Sequence, residues 1–270
     1  MAGGTSMIME AIDWASQAPT PGQCRRRLHT VIKFALHIRA EDERHEIPPK
    51  GIFGPKPQRR IPFIFTQKQI SNLIREAFNL GPPGAIRRHT YANLFALLSV
   101  TGIRISEALS LRINDITCDG LVIRETKFKK NRLVPLHETA NAGLQRYLCL
   151  RKKIGGNDDH AFISFYRSKL AYSTVNEVFR QLIRKIGLDS IHGRSGRSRP
   201  QTHDLRHTFT VRALECSLEE RDKVGRHLLA LSTYLGHAHI YDTYWYMKAT
   251  PQLTRDIAKM SEIFWMGGIK

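Results

Sequence analysis

The stretch Thr202–Tyr246 holds the side chains best suited to chemistry. It opens with Thr202-His203-Asp204-Leu205-Arg206-His207, later runs Leu235-Gly236-His237, and places Tyr246 nine residues beyond His237. His203 and Arg206 are three apart, so a helix sets them on one face. An imidazole can donate or transfer a proton near neutral pH. A guanidinium is a permanent cation whose fork fits phosphate oxygens. His237 adds a second imidazole beside the Gly236 break, and the tyrosines beyond it offer a hydroxyl able to attack phosphorus. Gathered by the fold, these groups form a phosphoryl-transfer set. His203 and His207 are also four apart and could share a metal, but the acid between them does not give the H-E-x-x-H pattern and no third ligand stands out, so no metal site is expected.

The elements that must position these residues are legible upstream. Thr66-Gln67-Lys68-Gln69 is a capping-box pattern, opening a helix to about Leu80 that buries Ile70, Leu73, Ile74 and Phe78. Tyr91–Val100 is strongly apolar and reads as a central core helix, stopped by Thr101-Gly102. Arg104 then stands at the start of a short helix, whose free N–H groups favour an anion nearby. Glu107, one turn on, can fix Arg104 or another cation. By themselves the two residues read more readily as a surface i,i+3 ion pair than as a phosphate site. Leu121-Val122-Ile123 and Leu133-Val134-Pro135-Leu136 flank a basic turn with Lys127, Lys129, Lys130 and Arg132, a hairpin pattern. Amphipathic helices follow at Thr139–Arg151 and from Ser173 to Ile186, with a short strand at Ala161–Phe165 between them. A loop carrying Arg194, Arg197 and Arg199 leads into Thr202; it reads as phosphate contact, as a flexible basic loop, or as both. Leu253–Phe264 reads as a last helix.

Four of these motifs, in this order, resemble the tyrosine recombinase/integrase family: Thr101-Gly102-Ile103-Arg104-Ile105-Ser106-Glu107, Lys127 before Arg132-Leu133-Val134-Pro135-Leu136, His203-Asp204-Leu205-Arg206, and Leu235-Gly236-His237 with its later tyrosine. The resemblance spans about residues 61–260. It implies a mainly α fold with a small antiparallel β-sheet, a recombinase-type catalytic domain at 61–270, and a short or partial helical DNA-binding domain at 1–46. It further implies a site-specific recombinase that breaks and rejoins DNA through a covalent 3′-phosphotyrosine, with double-stranded DNA as partner and a homotetramer acting on two DNA sites. In the implied mechanism Arg104 and Arg206 grip the phosphate, with Glu107 accessory. His203 assists proton transfer and His237 donates to the phosphate. Tyr246 attacks and Lys127 protonates the leaving 5′-oxygen, without cofactor, metal or ATP. Lys129 or Lys130 fills the acid role if the hairpin register shifts. Tyr246 has the spacing the family uses, with Tyr244 as the alternative nucleophile and Tyr234 read as core. The competing functions are type IB topoisomerase-like relaxation and a non-catalytic DNA-binding relative.

Composition agrees with a nucleic-acid partner. Forty-two Lys+Arg against 24 Asp+Glu leave a formal charge of +18 over 270 residues. No apolar run approaches a membrane span, and the first residues lack a signal-peptide pattern, so a cytoplasmic, nucleoid-associated protein is expected. Cys24, Cys118, Cys149 and Cys216 show no C-x-x-C pair, and reduced thiols are the default. Toward the N-terminus, Ala11–Gln17 can form a short helix. Cys24–Ala40 reads as a helix with Leu28, Val31, Ile32, Ala35 and Leu36 apolar, against a basic face containing Arg25, Arg26 and Arg27. That face suits phosphates or simple solvation equally. Residues 47–60, rich in Pro and Gly, read as a linker with few contacts of their own.

Overall fold

The structure is a computed structural model and describes residues 7–55, 60–124, 131–155, 158–189, 199–215, 221–237 and 239–249. It divides into two compact units, Met1–Arg59 and Arg60–Lys270.

The first unit pairs α1 (Met7–Ser16) with α2 (Pro21–Arg39). Thr20 caps α2 through its side chain, and Pro21 occupies the first turn, where its missing N–H costs nothing. The helix therefore starts three residues earlier than the apolar spacing predicts. Ala15, Leu28 and Ile32 form a small core with Ile12, Ile47 and Phe53 packed on it. Leu36, expected inside, is 47% exposed. The segment from Ile47, expected to make few contacts, folds back onto α2: Arg25 donates to Phe53 O at 3.0 Å and Gly54 O at 3.3 Å.

The second unit is mostly helical, with one small sheet. α3 (Gln67–Phe78) starts with the expected reciprocal capping box between Thr66 and Gln69. It packs on α4 (Ile86–Thr101), which is buried on most sides through Tyr91, Ala92, Leu94, Phe95, Leu97 and Leu98. Phe78, expected inside, sits at the rim at 36% exposure. Gly102 ends α4 in the left-handed region, φ +60°, where a Cβ would stand 2.4 Å from the Phe209 ring. α5 (Ile105–Ser110) follows at once. Strands β1 (Ile116–Thr117), β2 (Gly120–Ile123) and β3 (Arg132–Val134) form an antiparallel sheet in the order β1-β2-β3, with Leu121 opposite Val134 and Ile123 opposite Arg132. The predicted hairpin is thus present, and its turn, with Lys127, Lys129 and Lys130, lies outside the described residues.

α6 (Glu138–Ile154) and α7 (Tyr172–Lys185) complete the main core. α7 buries Val175, Val178, Phe179, Leu182 and Ile183, the five positions its helical period predicts. Ala161, Phe162 and Ile163 are fully buried, but in place of the predicted strand the described residues here form the isolated bridges Arg112–His160 and Ile163–Lys169. The chemistry-bearing segment forms α8 (His203–Glu215), α9 (Arg221–Leu235) and α10 (Tyr241–Ala249). A second apolar cluster of Val211, Leu214, Leu228, Leu231, Leu235 and Tyr246 joins these three helices. The helix predicted at Leu253–Phe264 lies outside the described residues. Among those described, no helix is long and apolar enough to cross a membrane.

Candidate active site

The site is built from the ends of helices. At the junction of α4 and α5, Arg104 is the residue before the first turn of α5, and Glu107 reaches back to accept its backbone N–H at 2.8 Å. The same carboxylate accepts from Arg104 Nη1 at 2.9 Å. Arg132, at the start of β3, then closes a two-pronged pair on Glu107 at 2.9 and 2.8 Å. Burial alone would raise the Glu107 carboxyl, but Arg132 and Arg104 outweigh it and hold the group below the ordinary carboxylate range.

The C-terminus of α9 collects the guanidiniums. Arg132 Nε donates to Tyr234 O at 2.9 Å, Arg206 Nη2 to Leu235 O at 2.8 Å, and Arg104 Nη2 to Gly236 O at 3.0 Å. Arg206 Nη1 also donates to Gly102 O at 2.7 Å, at the C-terminal end of α4. Helix ends leave carbonyls without intrahelical partners and carry partial negative charge. They can hold a cation by hydrogen bonds without neutralising it. Gly236 is left-handed, φ +66°, and a Cβ there would lie 2.9 Å from Arg132 Nη1.

Arg206 is 3% exposed, and no carboxylate forms an ion pair with it among the described residues. Burial, with Arg104 and Arg132 adding repulsion, lowers its pKa to about 10, so it stays charged at neutral pH. Among the described residues, Glu107 pairs with Arg104 and Arg132, and Arg206 is held by carbonyls alone. Such a cluster carries an excess of positive charge and suits an anion. Beside Arg104 a cavity of about 910 Å³ opens, with Glu107, Arg112, Arg124 and Lys169 among its walls.

His203 is the first residue of α8 and is exposed, with its ring 4.6 Å from that of His207. His237 follows Gly236, and its Nδ1 lies 2.8 Å from the Thr243 hydroxyl of α10. Burial, then Arg206 and Arg104, push its pKa down to about 4. It is therefore neutral at pH 7, with one ring proton. When the buried Thr243 hydroxyl donates to Nδ1, that proton sits on Nε2, free to be given to an oxyanion. Tyr246 projects from α10 into the same region, 3% exposed. Its ring stacks parallel to His237 at 6.4 Å, and its hydroxyl is 2.8 Å from His207 Nδ1. The side chain of Tyr244 lies outside the described ones.

Arg104, His203, Arg206, His237 and Tyr246 are thus brought together within one unit, with Glu107 beneath. Lys127 lies outside the described residues. Of the residues expected to touch DNA, Arg132 is a correction in placement: it is turned inward as the second clamp on Glu107, its side chain 13% exposed. Arg199 pairs with Asp189 at 2.8 Å. Arg25 is held by the carbonyls of Phe53 and Gly54, Arg27 lies over the Trp14 ring at 5.1 Å, and Arg26 is exposed. Lys129, Lys130, Arg194 and Arg197 fall outside the described residues. Sequence reasoning did not single out Thr243 as a partner of His237. It weighed His207 only as a metal ligand, although its position four residues after His203 places it on the same helix face.

Comparison with known proteins gives a consistent result. Residues 64–252 match the signature of the phage integrase family. A putative integrase/recombinase of Sinorhizobium fredii is 35% identical over 266 residues, covering 94% of this chain and 83% of the relative. The tyrosine recombinase XerD of Brucella abortus is 30% identical over 241 residues, covering 85% and 72%. Among solved structures, the XerH site-specific recombinase bound to a palindromic difH substrate in a post-cleavage complex shares the fold. Its TM-score is 0.66 at 19% identity, over 94% of this chain and 72% of that one. On the match over residues 64–252 and the two relatives at 35% and 30% identity, the chain belongs to the phage integrase family of tyrosine recombinases.

Proposed function

We propose that the protein is a site-specific DNA recombinase that cuts and rejoins strands through a phosphotyrosine bond. The observation that carries this reading is the buried Arg206, held by the carbonyls of Gly102 and Leu235 at 2.7 and 2.8 Å, beside Arg104 and the Tyr246 hydroxyl. Carbonyl partners fix the guanidinium and leave its charge for a phosphodiester.

Arg104 and Arg206 take the non-bridging oxygens and stabilise the charge that grows on them in the transition state. Neutral His237 donates to the same group. The Tyr246 oxygen attacks phosphorus, the bond to the 5′-oxygen breaks, and that oxygen takes a proton from Lys127, the acid we assign to the β2–β3 turn. A 5′-hydroxyl from another strand reverses the step. The ester energy stays in the phosphotyrosine, so the cycle needs no ATP, and the arginines supply the charge stabilisation that a metal gives elsewhere. Exchange between two duplexes cuts four strands and so calls for four tyrosines, which favours a tetramer spanning two sites. The first unit, Met1–Arg59, adds a second DNA contact through exposed basic residues such as Arg26.

A nicked suicide duplex carrying the target, incubated with EDTA and without nucleotide, tests the reading. The expected product is a covalent adduct, lost in Tyr246→Phe. An adduct that persists in that variant and disappears in Tyr244→Phe moves the nucleophile. Relaxation of supercoiled plasmid lacking the target, with no joint product between two sites, favours the topoisomerase reading instead.

A further inference from the structure

His207 is absorbed neither by the phosphate grip nor by the metal reading. Its Nδ1 lies 2.8 Å from the hydroxyl of Tyr246, and its ring is 5.2 Å from the Tyr246 ring and 5.7 Å from Trp245. A phenol has a reference pKa of about 10, so only about one in a thousand is ionised at pH 7. Attack on phosphorus therefore has to shed a proton, and a base in contact with the hydroxyl must receive it. His237 is poorly placed for this, because Nδ1 faces Thr243, and burial together with the neighbouring arginines suppresses protonation of its ring. His203 meets the His207 ring edge-on at 4.6 Å and 87°, while the described contact to the Tyr246 hydroxyl is made by His207. The imidazole touching the nucleophile's oxygen is His207.

We propose that His207 is the general base for Tyr246, a role that rests on the recombinase reading above. In the resting enzyme the phenol donates to Nδ1, and the ring carries its own proton on Nε2. As the tyrosine oxygen bonds to phosphorus and the bond to the 5′-oxygen breaks, the phenol proton passes to Nδ1. The 5′-oxygen takes its proton separately, from Lys127. Rejoining runs the transfer backwards: the incoming 5′-hydroxyl gives up its proton and His207 returns one to the departing phenolate. His203, edge-on to His207, faces the imidazolium that forms and acts as a positioning residue.

The test has two arms. Nitrogen-15 NMR of histidine-labelled wild-type protein, without DNA, should show Nδ1 of His207 unprotonated and Nε2 protonated. A proton on Nδ1 overturns the proposal, since the phenol oxygen would then be the acceptor. The second arm is single-turnover cleavage of the suicide duplex by His207→Ala and His207→Asn, with duplex affinity and melting temperature as controls for folding. Asparagine can keep the hydrogen bond but cannot take the proton. Both variants should cleave about 100-fold more slowly than wild type. The deficit should persist on a duplex whose leaving 5′-oxygen is replaced by sulfur, which needs no acid. The deficit of Lys127→Ala should vanish on that substrate. Wild-type rates in His207→Asn, or recovery of either His207 variant on the sulfur substrate, sink the proposal. Absence of any wild-type adduct, with the predicted tautomer still observed, counts against the recombinase reading and leaves the His207 contact standing.

Discussion

A guanidinium buried without a carboxylate is costly unless every donor is used and something else supplies the counter-charge. Arg206 meets the first condition in part with carbonyls, and the second is left to a ligand. Glu107 is the opposite case, one buried carboxylate holding Arg104 and Arg132 together. Replacing it by glutamine removes the one carboxylate that pairs with those arginines among the described residues. Glu107→Gln should destabilise the protein by about 3 kcal/mol, at the low end for a broken buried pair, as read by urea denaturation. It should also slow adduct formation, because Arg104 loses its anchor. The titrations of Glu107 and His237 both act against acid. The folded Glu107 carboxyl lies below its ordinary range, so its contribution is complete above that range and fades as pH falls through the folded value. The folded His237 lies near 4 against an ordinary 6.5. Between those values the unfolded chain binds a proton that the native site refuses, and stability drops as pH falls. His237→Asn should therefore flatten the melting temperature between pH 6.5 and 4, while Glu107→Gln flattens it at lower pH.

The end of α9 is the element that organises the site, since three consecutive carbonyls, of Tyr234, Leu235 and Gly236, each receive a different arginine. The left-handed Gly236 exposes them and leaves space for Arg132. Gly236→Ala meets a backbone penalty of roughly 1–2 kcal/mol and must also displace the Arg132 guanidinium. The expected result is a modest loss in denaturation midpoint with cleavage reduced up to about 100-fold, because a small shift of the arginines misplaces the phosphate. In the sequence, Gly102 and Gly236 read as helix stops, which they are; that their neighbouring carbonyls solvate the arginines depends on packing that periodicity does not encode. The capping box at Thr66 and the apolar faces of α4 and α7 were legible because local spacing determines them. α8 was legible only by its motif. It buries Asp204, Arg206, Thr208 and Thr210, each held by a specific bond such as Phe65 N to Thr208 Oγ1 at 3.0 Å, so no apolar stripe marks its core face. Arg132 was misplaced for a related reason: an arginine beside a basic turn looks like surface until a buried Glu107 is known to face it. The segment at Ile47–Gly54 looked like a linker because its two apolar anchors, Ile47 and Phe53, show no periodicity, and the carbonyls that hold Arg25 are ones any sequence supplies.

At the scale of the molecule, the excess of basic residues gives a charge of +18, while the arginines nearest the chemistry are few and inward. This separates affinity from catalysis. Binding a duplex releases counterions in proportion to the phosphates neutralised, whatever their position. Affinity for a target duplex should therefore fall by about a thousand-fold or more between 50 and 200 mM salt, if six or more phosphates are contacted. Arg26→Ala, an exposed cation of the first unit, should lower the slope of log affinity against log salt by about one if it meets a phosphate, with the rate of cleavage in the bound complex unchanged. Arg206→Lys should do the reverse. A lysine keeps the charge and so most of the salt slope, but it cannot span the carbonyls of Gly102 and Leu235 in one plane, and the cleavage rate should fall by at least a hundred-fold, in the range for loss of a transition-state donor. Fluorescence anisotropy across a salt series, paired with single-turnover cleavage at saturating protein, measures both quantities on the same variants. A salt-insensitive complex would remove the electrostatic basis for DNA binding. Near-normal cleavage by Arg206→Lys would mean that the planar fork at the centre of the site is dispensable.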